Sequence, residues 1–188
     1  MIGPVKIKDA LFLGDHYAAK DMEFLSNNRV TNIVNLCSKR VTNMWRHYGI
    51  SYLSFNWSEK EVELVSEGKA ESIMYIIKYI QEVLDAGNAI MVHSFNAMNR
   101  SVVVMAAFLM EKYNWAAGKA MDFLVLKKAS IKLKRSFYRQ LQAFEAFLKA
   151  QGRNLSTSWT PKAINNRVDN YEEAVLTNTY INSKMVKD

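Results

Sequence analysis

The sequence predicts an α/β domain in which helices flank a central, mostly parallel sheet. Short β-branched or apolar runs alternate along the chain with longer segments of helical period, the order of elements that builds such a sheet. The chain has 7 glycines and 2 prolines in 188 residues, too few turn formers for an all-β sandwich but well suited to long helices. Apolar residues make up 49% and charged ones 23%, which supplies a packed core and excludes whole-chain disorder or a low-complexity polymer. No repeat is visible, so solenoids and propellers are set aside.

Taken in order, Val5 to Gly14 alternates as one or two short strands, and Ala18 to Asn27 reads as a short helix with Met22, Phe24 and Leu25 near one face. Val30 to Cys37 is β-branched enough for a buried strand, and Ile50 to Trp57 alternates like another. From Gly68 to Ala86 the spacing of Ile73, Ile76, Ile77, Ile80, Val83 and Leu84 predicts an amphipathic helix closed by Gly87. Ala89 to His93 is a short buried strand. It runs into Ser101 to Tyr113, a helix apolar on nearly every face and therefore central to the domain. Ala116 to Lys128 and Ser136 to Ala150 complete the helices of a domain expected over residues 1–151.

Residues 152–188 break this pattern with six asparagines and one short periodic stretch from Tyr171 to Ile181. Trp159, Ile164, Tyr171, Leu176, Tyr180 and Ile181 make this extension too apolar for a solvated linker. It is expected to dock, either in cis or onto a neighbour. Its charges nearly cancel, so most of the net charge of +7 belongs to the domain. Such a surplus is compatible with an acidic or phosphate-bearing partner, or with a surface that is merely solvated. The single cysteine, Cys37, forbids an internal disulfide and a cysteine-based metal site, and suggests a reducing, cytoplasmic setting. The opening residues do not read as a secretory signal, and the longest apolar run, Val102 to Met110, is half a membrane span.

The most informative stretch is His93-Ser94-Phe95-Asn96-Ala97-Met98-Asn99-Arg100-Ser101. A strand ends, a short loop follows, and a helix begins at an arginine. In an open α/β sheet, loop amides and a helix N-terminus converge beyond the carboxyl ends of the strands, and an anion collects there. Arg100 adds a rigid fork that matches two phosphate oxygens. Phe95, Asn96, Ala97, Met98, Asn99 and Arg100 are thus the candidate phosphate-binding residues.

This segment resembles the His-Cys-x-x-Gly-x-x-Arg-Ser/Thr loop of the cysteine-dependent protein tyrosine phosphatases, in particular the small dual-specificity branch. His93, Arg100 and Ser101 match it; Ser94 stands where the family has its nucleophilic cysteine, and Ala97 where it has glycine. The likeness extends over about 150 residues, from ALFLGDHYAAKD through VTNIVNL and ISYLSFNWSEKE to Phe108-Leu109-Met110 and Ile131, Phe137, Gln140 and Leu141. It implies a tyrosine-phosphatase-like fold, with Ser94 and Arg100 at catalytic positions and with His93 and Ser101 supporting the loop. Counting from Tyr52-Leu53 puts Glu59 at the family's general-acid position, beside Glu61 and Glu63, which read equally well as a solvated acidic turn.

The departures point away from catalysis. A cradled thiolate attacks phosphorus in the family, whereas a serine hydroxyl has no comparable ionisation near neutral pH and no evident base. Alanine at a glycine position of positive φ costs about 1–2 kcal/mol. Two origins fit Ser94: a natural pseudophosphatase, or a trapping variant of a working enzyme. The further departures at Phe95, Asn96 and Ala97 favour the first.

The expected function is a phosphate- or phosphoprotein-binding, scaffolding domain. The alternatives are an active protein phosphatase whose cysteine was exchanged for Ser94, and a structural subunit of a larger assembly. No cofactor or metal is expected, since His16 and His47 lack companions at ligand spacing and read as surface or capping residues, while Cys37 reads as a small buried residue. Lys127, Lys128, Lys132, Lys134, Arg135 and Arg139 place six positive charges within thirteen residues. This cluster reads first as a solvated basic face; if functional, it suits phosphoproteins, phosphoinositides or RNA, with nucleic acid disfavoured because Phe137 and Tyr138 read as core positions on a helix.

Overall fold

The structure, a computed structural model, describes residues 3–58, 70–161 and 171–186. Five strands form one sheet: β1 (Val5–Lys8), β2 (Leu11–Gly14), β3 (Val30–Asn35), β4 (Ser51–Ser54) and β5 (Ala89–His93), in the order β1-β2-β5-β3-β4. Only the β1–β2 hairpin is antiparallel; β2, β5, β3 and β4 run parallel. Strand alternation divides the core. Leu11, Leu13, Val34, Ile90 and Val92 face one side, and Phe12, Ile33, Ala89 and Met91 face the other.

The larger side is covered by α2 (Ala70–Asp85), α3 (Arg100–Tyr113), α4 (Ala117–Lys127) and α5 (Arg135–Ala150). α3 buries twelve of its residues and is the hub of this layer. The smaller side is closed by α1 (Met22–Asn27) and the partly buried Trp45, whose Nε1 donates to the Ala19 carbonyl at 3.2 Å.

Several boundaries differ from the sequence reading. The helix expected over 18–27 is two elements, a 3-10 turn at Ala18–Lys20 and α1. Asp21 separates them: its backbone is extended at ψ 92°, and its carboxylate caps α1 by accepting from the Phe24 amide at 2.9 Å. β3 stops at Asn35 rather than Cys37, because the Asn35 side chain accepts from the Cys37 amide and donates to the Val41 carbonyl, turning the chain out of the sheet. β4 is correspondingly shorter than 50–57, with only an isolated Cys37–Asn56 bridge beyond it. Cys37 itself is buried.

The stretch expected to be periodic over 171–181 is a longer helix, α6 (Tyr171–Met185). It is joined to the domain by polar contacts around aromatic rings. Trp115 Nε1 donates to the Glu173 carboxylate at 2.8 Å, the Tyr113 hydroxyl donates to Glu172 at 2.7 Å, and Lys8 pairs with Glu172. Burial and the Glu172 carboxylate push the Tyr113 phenol upward, so it stays a donor. Tyr180 stacks on Trp159, which meets Trp115 edge-on.

The buried Trp115 indole makes the attachment of α6 measurable. Glu173→Ala leaves that donor unpaired and is expected to cost about 1–3 kcal/mol in urea denaturation. Unchanged stability would contradict this account of the attachment.

Candidate functional site: the Ser94–Ser101 loop

β5 and α3 are both buried, so the chain between them turns sharply beyond the carboxyl end of the sheet. The parallel register sets Gly14 and Asn35 beside His93. Ser94 and Ser101 lie at the two ends of this loop, both buried, and their hydroxyls share a 2.9 Å hydrogen bond. Arg100 opens α3 with only 4% of its surface exposed, and its Nη1 donates to the Trp57 carbonyl at 2.6 Å. Ala97 has φ 52° and is fully buried. Among the described residues, no carbonyl or side chain accepts from the amides of residues 95 to 99. Of these residues Ala97 is buried, Asn96 exposed and the others partly buried, so the amides stand open at the cavity rather than sealed in the core.

The loop is held from outside by residues distant in sequence. Both the amide and Nδ1 of His16 meet the Phe95 carbonyl, at 3.2 and 2.7 Å. The His16 ring stacks parallel on Phe95 with centroids 4.3 Å apart, and the Arg40 guanidinium lies 3.7 Å from the centroid of the same ring. Phe95 is thus gripped between a histidine and an arginine. Its unusual presence in the loop has a structural use, since cation–π and stacking contacts fix the first half of the turn. On the far side, Asn99 Oδ1 accepts from the Lys134 amide at 3.2 Å, tying the loop to the start of α5.

A cavity of about 150 Å³ opens on this loop. Ser94, Asn96, Asn99 and Arg100 form its polar wall, Met98 and Phe137 its apolar wall, and Lys132 and Lys134 bring positive charge to it. His93 lies behind, its two ring nitrogens without hydrogen-bond partners. Burial is the main cause that pushes its imidazole down to about 4; the nearby Ser94 backbone opposes the shift without giving a ring nitrogen a well-formed bond. His93 makes no hydrogen bond to the Ser94 hydroxyl, which pairs with Ser101 instead. Among the described residues, the Ser94 hydroxyl meets Ser101 and no side chain is placed as a base beside it.

Comparison with known proteins gives this geometry a family. Residues 11–147, well over half of the chain, match the dual specificity phosphatase catalytic domain. The chain belongs to the dual-specificity phosphatase family. Among curated relatives, the Drosophila melanogaster protein phosphatase Slingshot is 26% identical over 153 residues, spanning 80% of this chain but 14% of that protein. Dual specificity protein phosphatase 1B of Arabidopsis thaliana is 24% identical over 143 residues, covering 74% of this chain and 80% of its own length. Among solved structures, a leucine rich repeat and phosphatase domain containing protein from Entamoeba histolytica superposes with a TM-score of 0.68 at 19% identity, over 81% of this chain and 96% of that one. Human tyrosine phosphatase-like serine/threonine/tyrosine-interacting protein gives 0.68 at 20% identity, over 78% and 98%. These structures share the fold.

Within this dual-specificity phosphatase fold, Ser94, Asn96, Met98, Asn99 and Arg100 gather on one cavity, while Phe95 turns aside into the His16–Arg40 stack. Ser101 touches Ser94. Glu59, with Glu61 and Glu63, lies outside the described residues. His16 corrects the sequence reading: it is half-buried and bonded to the loop rather than a surface or capping residue, because β2 and β5 end side by side and deliver residues 16 and 95 to one spot. Arg40 and Trp57 were likewise invisible as site residues. Of the six clustered cations, Lys132 and Lys134 line the cavity. Among the described residues, no three His, Cys, Asp or Glu side chains gather to hold a metal ion, and no helix is long and apolar enough to cross a membrane.

Two measurements follow from the buried loop. Ala97→Gly relieves a left-handed backbone and is expected to stabilise the domain by roughly 1 kcal/mol in a denaturant titration; destabilisation would contradict the strain. His93 refuses a proton that the unfolded chain accepts. Its contribution is therefore complete above pH 6.5 and is lost as pH falls toward about 4, by roughly 3 kcal/mol. Across that window the wild type is expected to lose about 3 kcal/mol relative to His93→Leu, whose stability does not depend on that proton; parallel curves would contradict a neutral His93.

Proposed function

We propose that this domain is a pseudophosphatase module: it holds a phosphorylated protein at the Ser94–Arg100 loop without hydrolysing the ester, and serves as a scaffold in the reducing interior of the cell. The observation that carries the reading is the Ser94–Ser101 hydroxyl pair, buried beside a neutral histidine. A serine there lacks the thiolate's charge, and no described residue is placed as its base, so bond formation to phosphorus lacks its nucleophile. Binding needs less. The unspent amides of residues 95 to 99, the Arg100 fork and the cavity supply donors of the kind that hold a tetrahedral dianion.

One observation keeps a catalytic ancestor or parent in view. Ala97 adopts the positive φ that a glycine would take freely, so the loop keeps its turn despite the substitution. Ser94→Cys assayed on an aryl phosphate therefore tests the cradle. Restored turnover means an intact site lacking only its nucleophile; none means the remaining groups, Glu59 included, no longer serve catalysis.

For the binding claim, Arg100→Ala is expected to weaken a phosphotyrosine peptide roughly 10- to 100-fold in calorimetry, the worth of charged hydrogen bonds. Unchanged affinity would overturn phosphate capture and favour a purely structural building block.

A further inference from the structure

We infer that the ligand is a phosphorylated peptide segment with additional acidic groups beside the phosphorylated residue, read by Lys132 and Lys134. The inference rests on the phosphate-holding role proposed above and adds to it the chemistry of the flanking residues.

The first observation is uncompensated charge. No aspartate or glutamate occurs between Asp122 and Glu145, a stretch that contains six lysines and arginines. Among the described residues, no ion pair joins Lys132, Lys134, Arg135 or Arg139 to a carboxylate. Some cations elsewhere are matched, as Lys149 is with Glu145 and Arg153 with Glu111, but here six stand in a row with no carboxylate between them. The second observation is placement. Lys132 and Lys134 share one cavity with Ser94 and Arg100, and the Lys134 backbone is tied to the loop through Asn99. The basic segment is therefore held in fixed relation to the phosphate position. The third is cost. Lys134 caps α5 and Arg135 opens it, with no acidic residue in the first turn, so cations occupy the helix end that favours anions. A ligand bearing further negative charge relieves that opposition.

The surroundings favour a peptide over a membrane. Among the described residues, no exposed large apolar side chain lies within residues 130–139, and those near the basic run and the loop, Val125 and Tyr17, are isolated rather than a patch, which disfavours an interfacial surface. Met98 and Phe137 instead give the cavity an apolar wall for the carrier of a single phosphate.

The test titrates the full chain with three peptides: a phosphotyrosine peptide flanked by two glutamates, the same peptide with glutamines, and the unphosphorylated acidic peptide. The acidic phosphopeptide is expected to bind roughly five- to tenfold tighter than the glutamine version at low salt. That preference is expected to vanish in Lys132→Gln/Lys134→Gln and to shrink as salt shortens the screening length. Equal binding of both phosphopeptides overturns this inference and leaves phosphate capture standing. Failure of both phosphopeptides to bind overturns phosphate capture as well. Equal binding of the unphosphorylated acidic peptide overturns the coupling to the loop, and tighter binding to vesicles containing phosphoinositides overturns the choice of a peptide.

Discussion

The junction between β5 and α3 is the constraint on which the site depends. Both elements are buried along nearly their whole length, β5 between two parallel neighbours and α3 beneath α2, α4 and α5. Neither shifts without opening the core, so the turn that joins them has almost no freedom of position. The chain meets this demand at a cost in local backbone freedom, seen in Ala97 at positive φ and in a run of amides without internal acceptors. Amides without protein acceptors beside a buried arginine are what the proposed phosphate-holding role rests on.

Around that junction, other elements add precision rather than bulk stability. The His16–Phe95–Arg40 stack grips the outer half of the loop, Asn99 ties the inner half to α5, and the Trp57 carbonyl holds Arg100. These contacts come from the segments just after β2, β3 and β4 and from the start of α5. All converge because parallel strands place their carboxyl ends on one edge. In the proposed reading, Ser94 withholds a nucleophile without disturbing this convergence, which is what would let binding stand apart from catalysis.

Much of the fold was legible because its signals are periodic. The alternation of β5, the all-round apolarity of α3 and the spacing of Ile73, Ile76, Ile77 and Ile80 depend on burial alone. The loop was legible because its residue types are chemically specific in sequence, and the likeness to the phosphatase motif added the meaning of position 94. The missed residues share a different property. His16 and Arg40 lie 79 and 55 residues from Phe95, and only strand order brings them to it. The Asp21 cap and the Asn35 side-chain bonds do not show in the pattern, since one polar residue overrides the apolar pattern on either side. Lys132 and Lys134 were visible as charge but not as neighbours of the cavity.

The central claim is that the loop binds a phosphate ester and leaves it whole. Phosphorus-31 NMR of a phosphotyrosine peptide with the full chain reads both halves at once. The account predicts a broadened, shifted ester resonance, reversed by excess tungstate, with no inorganic phosphate peak on prolonged incubation. An unperturbed ester resonance, or steady growth of inorganic phosphate, would contradict it.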